Sequence, residues 1–466
     1  MVIYRQCVLD TIAPIALYDK LRVFFDGKRI LLFESGEHGS FSYVFVDVRE
    51  RVWHEQGKSF HIEGGNLSYI DENPLNYLKR RFRLLDQISY KQIADDLGVG
   101  FIDGFVGFVG YEAVRLFEPV LARSMSDLAD VTKTPDLDLI RPKYVFVYSH
   151  KNYTLTALST LENSQSLLEE AVAFVQTPQQ HIPLIKADQL EEGSFKLSKK
   201  DFMDKIEEVK EQIVNGEIFQ MLLANRYIQP SKVDPFSYYR VLRSKNPSPY
   251  QFFLPYERFS IVGCSPELMV GLHSNQIELS PIAGTRKRGG TIARDLELER
   301  ELLNDEKERA EHIMLVDLGR NDVGRVAKIG SVRVENLMHI ERFSHVMHIV
   351  SDIIAELEND KDMFDLFMSA FSAGTMTGAP KIRAMELIAA FEGTRRGFYS
   401  GAVALFGFTG DMDSAITIRS AQIDENRLIL HAGVGVVADS KPELEWLELQ
   451  NKLGAMKVSY EDLLKL

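Results

Sequence analysis

The strongest constraint on this fold is a pair of acidic steps that lie far apart in the second half of the chain. One step contains Glu308 and Glu311, and the other contains Glu445 and Glu448. Each places two carboxylates three residues apart, so both lie on one face if the segment is helical. Four converging carboxylates would form an oxygen-rich site suited to a hard cation such as Mg²⁺. A solvated helix face is the common alternative, and these residues alone leave both interpretations open.

Local patterns predict how each acidic step is presented. Asp295 is suited to cap a long helix that carries the first step. Pro442 is suited to the first turn of a helix that carries the second step. Two segments between them are rich in strand-forming side chains. The predicted elements are helices over about 295–318 and 442–453 and paired strands over 414–422 and 427–432.

The charge of the whole chain limits its partners. The formal net charge is -13 at pH 7, and no extended basic run is present, which argues against general affinity for nucleic acid. With 466 residues, of which 45% are hydrophobic, the chain can bury a large core. An anionic ligand would therefore need a local site of opposite charge.

Cysteine use and the N-terminal residues indicate a reducing compartment. Cys7 and Cys264 are too few for a disulfide framework, and we expect two small buried or half-buried thiols. The first residues lack the basic start and apolar block of a secretory signal. No run reaches the roughly 18 apolar residues of a membrane span. The expectation is a cytoplasmic protein without membrane contact.

The chain changes character between its two parts. Short apolar runs such as 30–35 and 41–46 alternate with turn residues in the first part and predict strands. A helical pattern over 164–175 is followed by polar residues, which suggests a boundary. We therefore divide the chain into an N-terminal subdomain, residues 1–190, and a second domain, residues 191–466.

Several segments in the second domain are suited to anion binding. Residues 372–380 form a small-residue loop that leads into a helix N-terminus, where free N–H groups favour a carboxylate or phosphate. Residues 431–437 carry glycines after a strand and allow close backbone approach. Arg419, flanked by strand residues, is suited either to a structural ion pair or to bidentate carboxylate recognition. His348, in an apolar stretch, is either a core residue or an acid–base group.

In their order, these motifs resemble the chorismate-utilising enzymes, in the anthranilate synthase component I branch of that family. The matching segments are 216–220 (GEIFQ), 281–285 (PIAGT), 307–326 (KERAEHIMLVDLGRNDVGRV), 346–351 (VMHIVS), 374–388 (GTMTGAPKIRAMELI), 399–403 (YSGAV), 418–420 (IRS) and 433–452. The motif Ser265-Pro266-Glu267 also matches, and the N-terminal part matches more loosely. The resemblance implies an α+β fold with two large, mostly antiparallel β-sheets in a sandwich and helices outside.

The resemblance also implies a role for each candidate residue. Mg²⁺ would be held by Glu311 and Glu448, with support from Glu308 and Glu445. Substrate contacts would come from Gly284, Thr285, Tyr399, Arg419, Gly433, Val434, Gly435 and Lys452. His348 would be the acid–base residue near the leaving hydroxyl, and Thr375 would line the pocket with it.

The implied activity is Mg²⁺-dependent conversion of chorismate and ammonia to anthranilate and pyruvate, in tryptophan biosynthesis. Relatives that form isochorismate carry lysine where Gln220 stands, and many that form aminodeoxychorismate carry lysine where Ala283 stands. Both departures favour ammonia as nucleophile and anthranilate as product. Neither cysteine lies in a context that resembles a glutaminase nucleophile loop. The expected ammonia source is therefore a separate glutamine amidotransferase subunit.

Regulation and two alternative functions complete the hypotheses. Glu34, Ser35, Pro249, Tyr250 and Gln251 resemble the family's tryptophan site, although Gln251 stands where methionine is common. One alternative function is the large subunit of aminodeoxychorismate synthase, in folate synthesis. The other is a non-catalytic amino-acid sensor that keeps the pocket but not the turnover.

Overall fold

The first part of the chain consists of antiparallel strands with helices on their flanks. The computed structural model describes residues 2–36, 39–178, 180–342 and 346–466. The strands here are β1 (Ile3–Val8), β2 (Ile30–Ser35), β3 (Phe41–Glu55), β4 (Lys58–Glu63), β5 (Asn66–Ile70), β6 (Gly104–Val109), β7 (Leu137–Ser149) and β8 (Thr154–Ser159). The helices are α1 (Pro14–Phe24), α2 (Pro74–Phe82), α3 (Gln87–Leu97), the 3-10 helix η1 (Tyr111–Leu116), α4 (Pro119–Ser124) and α5 (Gln165–Val175).

The second part continues the same architecture with longer helices. Its strands are β9 (Asp188–Gln189), β10 (Ser194–Phe195), β11 (Gln220–Lys232), β12 (Tyr250–Pro255), β13 (Ser260–Ser265), β14 (Gly271–His273), β15 (Gln276–Leu279), β16 (Ile282–Lys287), β17 (Arg333–Arg342), β18 (Val346–Glu356), β19 (Gly378–Ala379), β20 (Ala402–Gly407), β21 (Met412–Ile416), β22 (Ser420–Ile423) and β23 (Arg427–Val436). Its helices are α6 (Lys199–Val214), α7 (Pro235–Lys245), α8 (Ile292–Asn304), α9 (Glu306–Gly324), α10 (Met363–Ala370), the 3-10 helix η2 (Gly374–Met376), α11 (Lys381–Glu392) and α12 (Pro442–Leu464).

The strands form two antiparallel arms that share the long strands β3 and β7. One arm follows the order β1-β8-β7-β3-β2-β12-β13-β22-β23-β11. The other follows β5-β4-β3-β7-β6-β20-β21-β14-β15-β18, and β18 also pairs with β16 and β17. The predicted α+β fold with mostly antiparallel sheets and helices outside is confirmed.

Strand pairing joins residues 1–190 to the rest of the chain. β2 pairs with β12, β6 pairs with β20, and β9 pairs with β11. Hydrogen bonds of both arms therefore cross the division proposed at residue 190, and the two-part division stays a prediction. The same pairs place the first part directly against strands that lead into the candidate site.

Helix packing follows the apolar faces of the helices. α6 begins at Ser198, whose side chain accepts a hydrogen bond from Asp201 N, and it buries Phe202, Ile206 and Val209. α12 packs on β23, α6 and α7, and α9 packs on β16 and β18. No helix in the described ranges is long and apolar enough to cross a membrane.

The cysteines agree with their expected state. Both are free thiols, Cys264 buried and Cys7 half-buried. Burial raises the pKa of each thiol, so neither is an activated thiolate. The prediction of two unpaired structural thiols is confirmed.

The long helix predicted over 295–318 is wrong, because the chain forms two helices there. Thr291 caps α8, and Asp305 breaks the helix and caps α9 by accepting hydrogen bonds from Lys307 N and Glu308 N. Asp295 lies inside α8, where its carboxylate accepts from Gly289 N and pairs with Arg288. The break places the first acidic step in the opening turns of a new helix.

Candidate active site

Two helices bring the acidic steps towards each other. α9 carries Glu308 and Glu311, and α12 carries Glu445 and Glu448. Burial raises the pKa of Glu311, and the charges of Glu308 and Glu448 raise it further. Burial also raises the pKa of Glu445, to which the charge of Glu448 adds. These mutual effects place Glu311 of α9 near Glu448 of α12.

Two cationic side chains form ion pairs with glutamates of the acidic steps among the described residues. Burial acts to raise the pKa of Glu448, but the Lys452 ammonium at 2.8 Å lowers it overall. On the other helix, Arg286 Nη1 lies 3.3 Å from Glu308 Oε1. The four glutamates offer oxygen ligands of the kind that Mg²⁺ prefers. The donor set is therefore of the chemical type that a divalent ion prefers, although among the described residues no three of these glutamates have donor atoms within 4.8 Å of one another. Lys452 and Arg286 offset part of the negative charge of the carboxylates.

A second group of metal-capable side chains lies in the first part of the chain. Among described residues, Glu50, His61 and Glu63 form the compact set whose donor atoms all lie within 4.8 Å of one another. Arg81 already contacts the Glu50 carboxylate and lies 3.1 Å from His61 Nε2. The Arg81 guanidinium therefore pairs with this set, as Lys452 and Arg286 pair with the glutamates of α9 and α12.

Arg419 and Lys452 form the positive part of the candidate site. Arg419 Nη1 donates to the carbonyl of Lys452 at 2.7 Å, and Lys452 Nζ donates to Gly433 O at 2.9 Å. Burial lowers the pKa of Arg419, although the guanidinium stays charged at any physiological pH. These contacts unite three residues predicted to bind substrate beside the middle of α12, one turn after Glu448.

Arg419 reaches the site because its strand is interrupted. The strand predicted over 414–422 is wrong as a continuous element, since β21 ends at Ile416 and β22 begins at Ser420. Arg419 has φ +50°, and the neighbouring site residue Ser400 has φ +63°. Left-handed backbone at residues other than glycine is costly and is held by its surroundings. The interruption turns Arg419 out of the strand pattern and towards Lys452.

His348 lies on the β18 side of the site, against the β16 turn. Its Nδ1 is 3.0 Å from both Gly284 O and Thr285 Oγ1. Since a carbonyl only accepts, Nδ1 carries the proton, and the neutral ring has its lone pair on Nε2. Burial lowers the pKa of His348 to about 4. The imidazole is therefore neutral at pH 7 and suited to accept a proton.

Two glycines allow the close approaches that assemble the site. Gly284 has φ +66°, and a Cβ there would meet Glu308 Oε2 at 3.2 Å. A Cβ on Gly435 would meet Gln220 Nε2 at 2.6 Å, where Gln220 donates to Glu311 Oε1 at 3.0 Å. Larger residues would push apart the groups around Glu308 and Glu311. Val434 lies between the two β23 glycines and is fully buried, so its side chain packs this strand into the core.

Glu267 is a site residue that the sequence interpretation did not single out. Thr375 Oγ1 donates to Glu267 Oε1 at 2.8 Å, and Lys452 contributes to its electrostatic environment. Burial raises the pKa of Glu267 to about 7. A carboxyl that is half protonated at neutral pH is a candidate general acid. The signal for it was the motif Ser265-Pro266-Glu267, which had been noted only for its family resemblance.

Tyr399 is the remaining predicted substrate contact, and it stacks on His431. The ring centroids are 5.1 Å apart with an interplanar angle of 12°. Both residues are buried, and the Tyr399 phenol lies close enough to Arg419 for their charges to interact. His431 was not predicted as a site residue, although it begins the glycine-rich segment that was.

The predicted inhibitor residues line a separate cavity of about 450 Å³ between β2, α3, β12 and β21. Glu34, Ser35, Pro249, Tyr250 and Gln251 all lie on its wall. Further aromatic walls come from Phe33, Phe41, Tyr43, Phe101 and Phe252. The structure thus brings the five predicted residues together in one apolar cavity with polar ends.

The Glu34 carboxylate is already paired inside the protein. It accepts hydrogen bonds from Tyr239 Oη at 2.6 Å and from Arg243 Nε at 2.8 Å. Charges on the cavity wall come instead from Asp411, paired with Lys91 at 3.0 Å, and Asp413, paired with His273 at 3.1 Å. The cavity therefore offers groups of both signs to a zwitterionic ligand.

Comparison with known proteins gives a consistent set of similarities. A family model described as chorismate binding enzyme matches residues 28–458. The anthranilate synthase component 1 of Aquifex aeolicus is 37% identical over 98% of this chain and 94% of its own length. That of Acinetobacter calcoaceticus is 38% identical over 97% of this chain and 94% of its own length.

Solved structures show the same similarity in three dimensions. Anthranilate synthase component I from Streptococcus pneumoniae superposes with a TM-score of 0.78 at 30% identity, covering 97% of this chain and 99% of that one. The menaquinone-specific isochorismate synthase MenF from Escherichia coli gives a TM-score of 0.76 at 18% identity, covering 99% and 94% of the two chains. The second likeness concerns the fold alone.

Proposed function

Because the chain belongs to the chorismate-binding enzyme family, we propose that it is the large subunit of an anthranilate synthase. The reaction converts chorismate and ammonia to anthranilate, pyruvate and water. A C–N bond forms at ring carbon 2, the ring hydroxyl leaves, and the enolpyruvyl group departs as pyruvate. The observation that carries the proposal is the convergence of Arg419, Lys452, Glu267 and His348 with both acidic steps.

The positive part of the site suits a dianionic substrate. Chorismate carries two carboxylates, and Arg419 and Lys452 supply two cationic side chains, the first bonded to the backbone carbonyl of the second. Guanidinium binds carboxylates in a planar, bidentate geometry. Backbone at Gly433 and Gly435 leaves room for a carboxylate to approach β23 closely. These groups orient the substrate before any bond changes.

Burial shifts the pKa values of two titratable groups in opposite directions, upward for Glu267 and downward for His348. Glu267, with a pKa of about 7, retains a proton that it can give to the leaving hydroxyl oxygen. His348, with a pKa of about 4, is neutral and can accept the proton lost when the ring becomes aromatic. This division assigns the acid role to Glu267 rather than to His348. Separated pKa values of this kind mark acid and base partners.

In this proposal, the glutamates of the two acidic steps would bind the metal ion that the reaction requires. Glu311 and Glu448, with Glu308 and Glu445 beside them, would hold Mg²⁺ near the substrate ring carboxylate. When bound, the ion acts as a Lewis acid that withdraws electron density from that carboxylate. Without it, the glutamates would repel a dianion, so we expect substrate binding to depend on Mg²⁺.

The nucleophile in the proposal is ammonia from a partner subunit. Gln220 and Ala283 stand where water-activating or ring-attacking lysines occur in other branches, and neither side chain can take those roles. Both cysteines have raised pKa values through burial, which does not suit the nucleophile of a glutaminase. A separate glutamine amidotransferase would therefore provide the ammonia.

Product identification tests this function directly. The purified chain, supplied with chorismate, Mg²⁺ and ammonium at alkaline pH, is expected to form fluorescent anthranilate and pyruvate in equal amounts. Omitting ammonium or adding a chelator should stop both products. Accumulation of aminodeoxychorismate, converted only by an added lyase, would favour the folate enzyme. Consumption of chorismate without formation of anthranilate or aminodeoxychorismate would reject the proposal. A complete lack of chorismate consumption would reject it as well.

The separate cavity supports a proposal of feedback inhibition by tryptophan. Its volume and aromatic walls suit an indole ring, and Asp413 and protonated His273, whose pKa is raised to about 9 by Asp413, suit a charged amino-acid head group. We expect tryptophan to inhibit turnover, with phenylalanine as a weaker control ligand. A flat response to tryptophan would remove this proposal.

Filling the cavity provides the matched mutational test. Ser35→Phe places a large side chain in the wall of the cavity and should raise the half-inhibitory tryptophan concentration by about tenfold or more, because the indole loses its space. The ammonia-dependent rate without tryptophan should stay near that of the unsubstituted chain. Equal inhibition of both proteins would show that tryptophan does not bind in this cavity.

A further inference from the structure

His431 occupies the space beneath the ring of Tyr399. The two rings are nearly parallel, at 12°, with centroids 5.1 Å apart. His431 is 3% exposed and lies on β23 two residues before Gly433, the carbonyl of which binds Lys452. Its backbone and its side chain therefore both adjoin groups proposed to hold the substrate, although it is not itself one of them.

A hydrogen bond fixes the state of this imidazole. Arg226, the register partner of His431 across β11 and β23, donates from Nε to His431 Nε2 at 2.7 Å. A guanidinium only donates, so Nε2 must present its lone pair and Nδ1 must carry the proton. Burial and the nearby charges of Arg226, Arg396 and Lys196 hold the pKa of His431 well below its usual range. The ring is thus neutral and in one tautomer, bonded through Nε2, while its buried Nδ1 has no hydrogen-bond partner among the described residues.

Further contacts restrict the Tyr399 ring and fix the position of Arg396, which lies near that ring. The Arg396 guanidinium lies 5.9 Å from the Tyr399 ring centroid. Arg396 is itself immobilised by Glu392, at 2.6 Å, and by the carbonyls of Met376 and Leu222. A planar ring held by a parallel ring and a fixed cation has little rotational freedom. The direction of the phenol oxygen is therefore restricted by His431 beneath the ring, together with Arg396 and a hydrogen bond with the Ser400 side chain.

We propose that His431 is a positioning residue that aligns the Tyr399 phenol for the substrate carboxylate, with Arg226 locking the imidazole in place. The proposal rests on the proposed function, because it assumes that Tyr399 contacts chorismate. His431 acts on substrate only through Tyr399. Its substitution should therefore weaken substrate binding in the ground state and transition state alike, which raises KM more than it lowers kcat.

A double-mutant cycle separates positioning from simple core packing. His431→Leu should raise the KM for chorismate by about three- to tenfold, the size expected for one aromatic stacking interaction, with a much smaller change in kcat. In a Tyr399→Phe background, the same substitution should change KM by less than about twofold, because the group that it aligns is gone. Equal effects in both backgrounds would overturn the proposal.

Two further variants keep the test valid if His431→Leu folds poorly. His431→Gln retains an acceptor for Arg226 and should fold, but it lacks the aromatic ring and should still raise KM. His61→Gln removes another buried histidine, whose Nε2 lies 2.8 Å from Glu50 Oε1 in the first part of the chain, and should leave KM unchanged. A KM increase for His61→Gln equal to that of His431→Gln would show a general packing effect.

Failure of the proposed function would be distinguishable from failure of this inference. The cycle can also be measured as chorismate binding to the Mg²⁺-loaded protein by calorimetry, without turnover. Binding without anthranilate formation would reject the function and still report on the alignment of Tyr399. Anthranilate formation with an additive cycle would reject the positioning role alone, and absence of chorismate binding would reject both.

Discussion

Replacing Glu311 by glutamine is expected to lower kcat/KM by about a thousandfold or more while the protein stays folded. The amide keeps the shape of the side chain and can still accept from Gln220 Nε2, which now lies 3.0 Å from Glu311 Oε1. It lacks the negative charge that a hard divalent ion requires. Loss of one preorganised electrostatic group in a site of this kind typically costs about 10²–10³ in rate, and loss of the ion as well adds to it.

The same substitution has an opposite effect on stability in the absence of metal. Burial and the charges of Glu308 and Glu448 raise the pKa of Glu311, so its ionisation opposes folding at neutral pH. Without Mg²⁺, Glu311→Gln should therefore have an equal or higher melting temperature. With Mg²⁺, the unsubstituted protein should gain stability, and the variant should gain little.

A control on the same helix isolates the site effect. Glu306 is exposed in the first turn of α9, and Glu306→Gln should leave both activity and the Mg²⁺-dependent rise in melting temperature nearly intact. Calorimetric scans with and without Mg²⁺ and initial rates with chorismate measure the two quantities. Full activity of Glu311→Gln, or an equal loss in both variants, would refute a metal site at the α9–α12 junction.

Replacing Glu267 by glutamine should lower kcat by about 10²–10⁴, the usual contribution of a general acid. With its pKa at about 7, Glu267 loses its proton as the pH rises through neutrality. The unsubstituted enzyme should therefore lose kcat on the alkaline side of pH 7 when ammonia is kept saturating. The variant should lack this limb of the profile, because an amide does not titrate in this range.

Thr375→Val provides an independent check on the same proton. The hydroxyl of Thr375 donates to Glu267 Oε1 and favours its ionised form, which lowers its pKa against the larger effect of burial. Loss of that donor should raise the pKa of Glu267, so the alkaline limb should move to higher pH. A limb that stays in place in Thr375→Val, or that persists in Glu267→Gln, would assign the acid role to another group.

Stability should change with pH in a direction fixed by the same residue. The folded pKa of Glu267, about 7, lies above its unfolded value near 4.5. The folded state therefore binds more protons between these values, and the free energy of unfolding falls as pH rises from about 4.5 to 7. At about 1.4 kcal/mol per pKa unit, the difference of roughly 2.5 units corresponds to about 3.5 kcal/mol. Glu267→Gln should therefore be the more stable protein at pH 8.

Local sequence patterns predicted individual helices and strands well where interactions between neighbouring residues determine the secondary structure. The strand over 30–35 matches β2, and Pro442 begins α12 as expected. Both depend on neighbouring residues, through side-chain alternation in a strand and the fixed φ of proline in a first helical turn. The end of α12 was predicted at about 453, but packing against α6 and α7 extends it to Leu464.

The two wrong elements fail for a tertiary reason. No glycine or proline interrupts the chain around Asp305, and residues with side chains common in strands continue through 417–418, so the pattern alone predicts unbroken elements there. In the folded chain, Asp305 starts a new helix, and left-handed backbone at Arg419 is held by its contact with Lys452. Both interruptions lie at the candidate site, where the surrounding structure outweighs local preference.

The sequence by itself determined the family, the fold class and the residue types that assemble the site. Acidic steps, glycine loops and the order of motifs can all be identified in the amino-acid sequence without knowledge of the fold. Only the tertiary structure decided which of those residues carry a proton at neutral pH. A pKa depends on burial and on charges contributed by distant strands and helices. Glu267 became a candidate acid, His348 a neutral base and His431 a support for Tyr399 only when the chain folded around them.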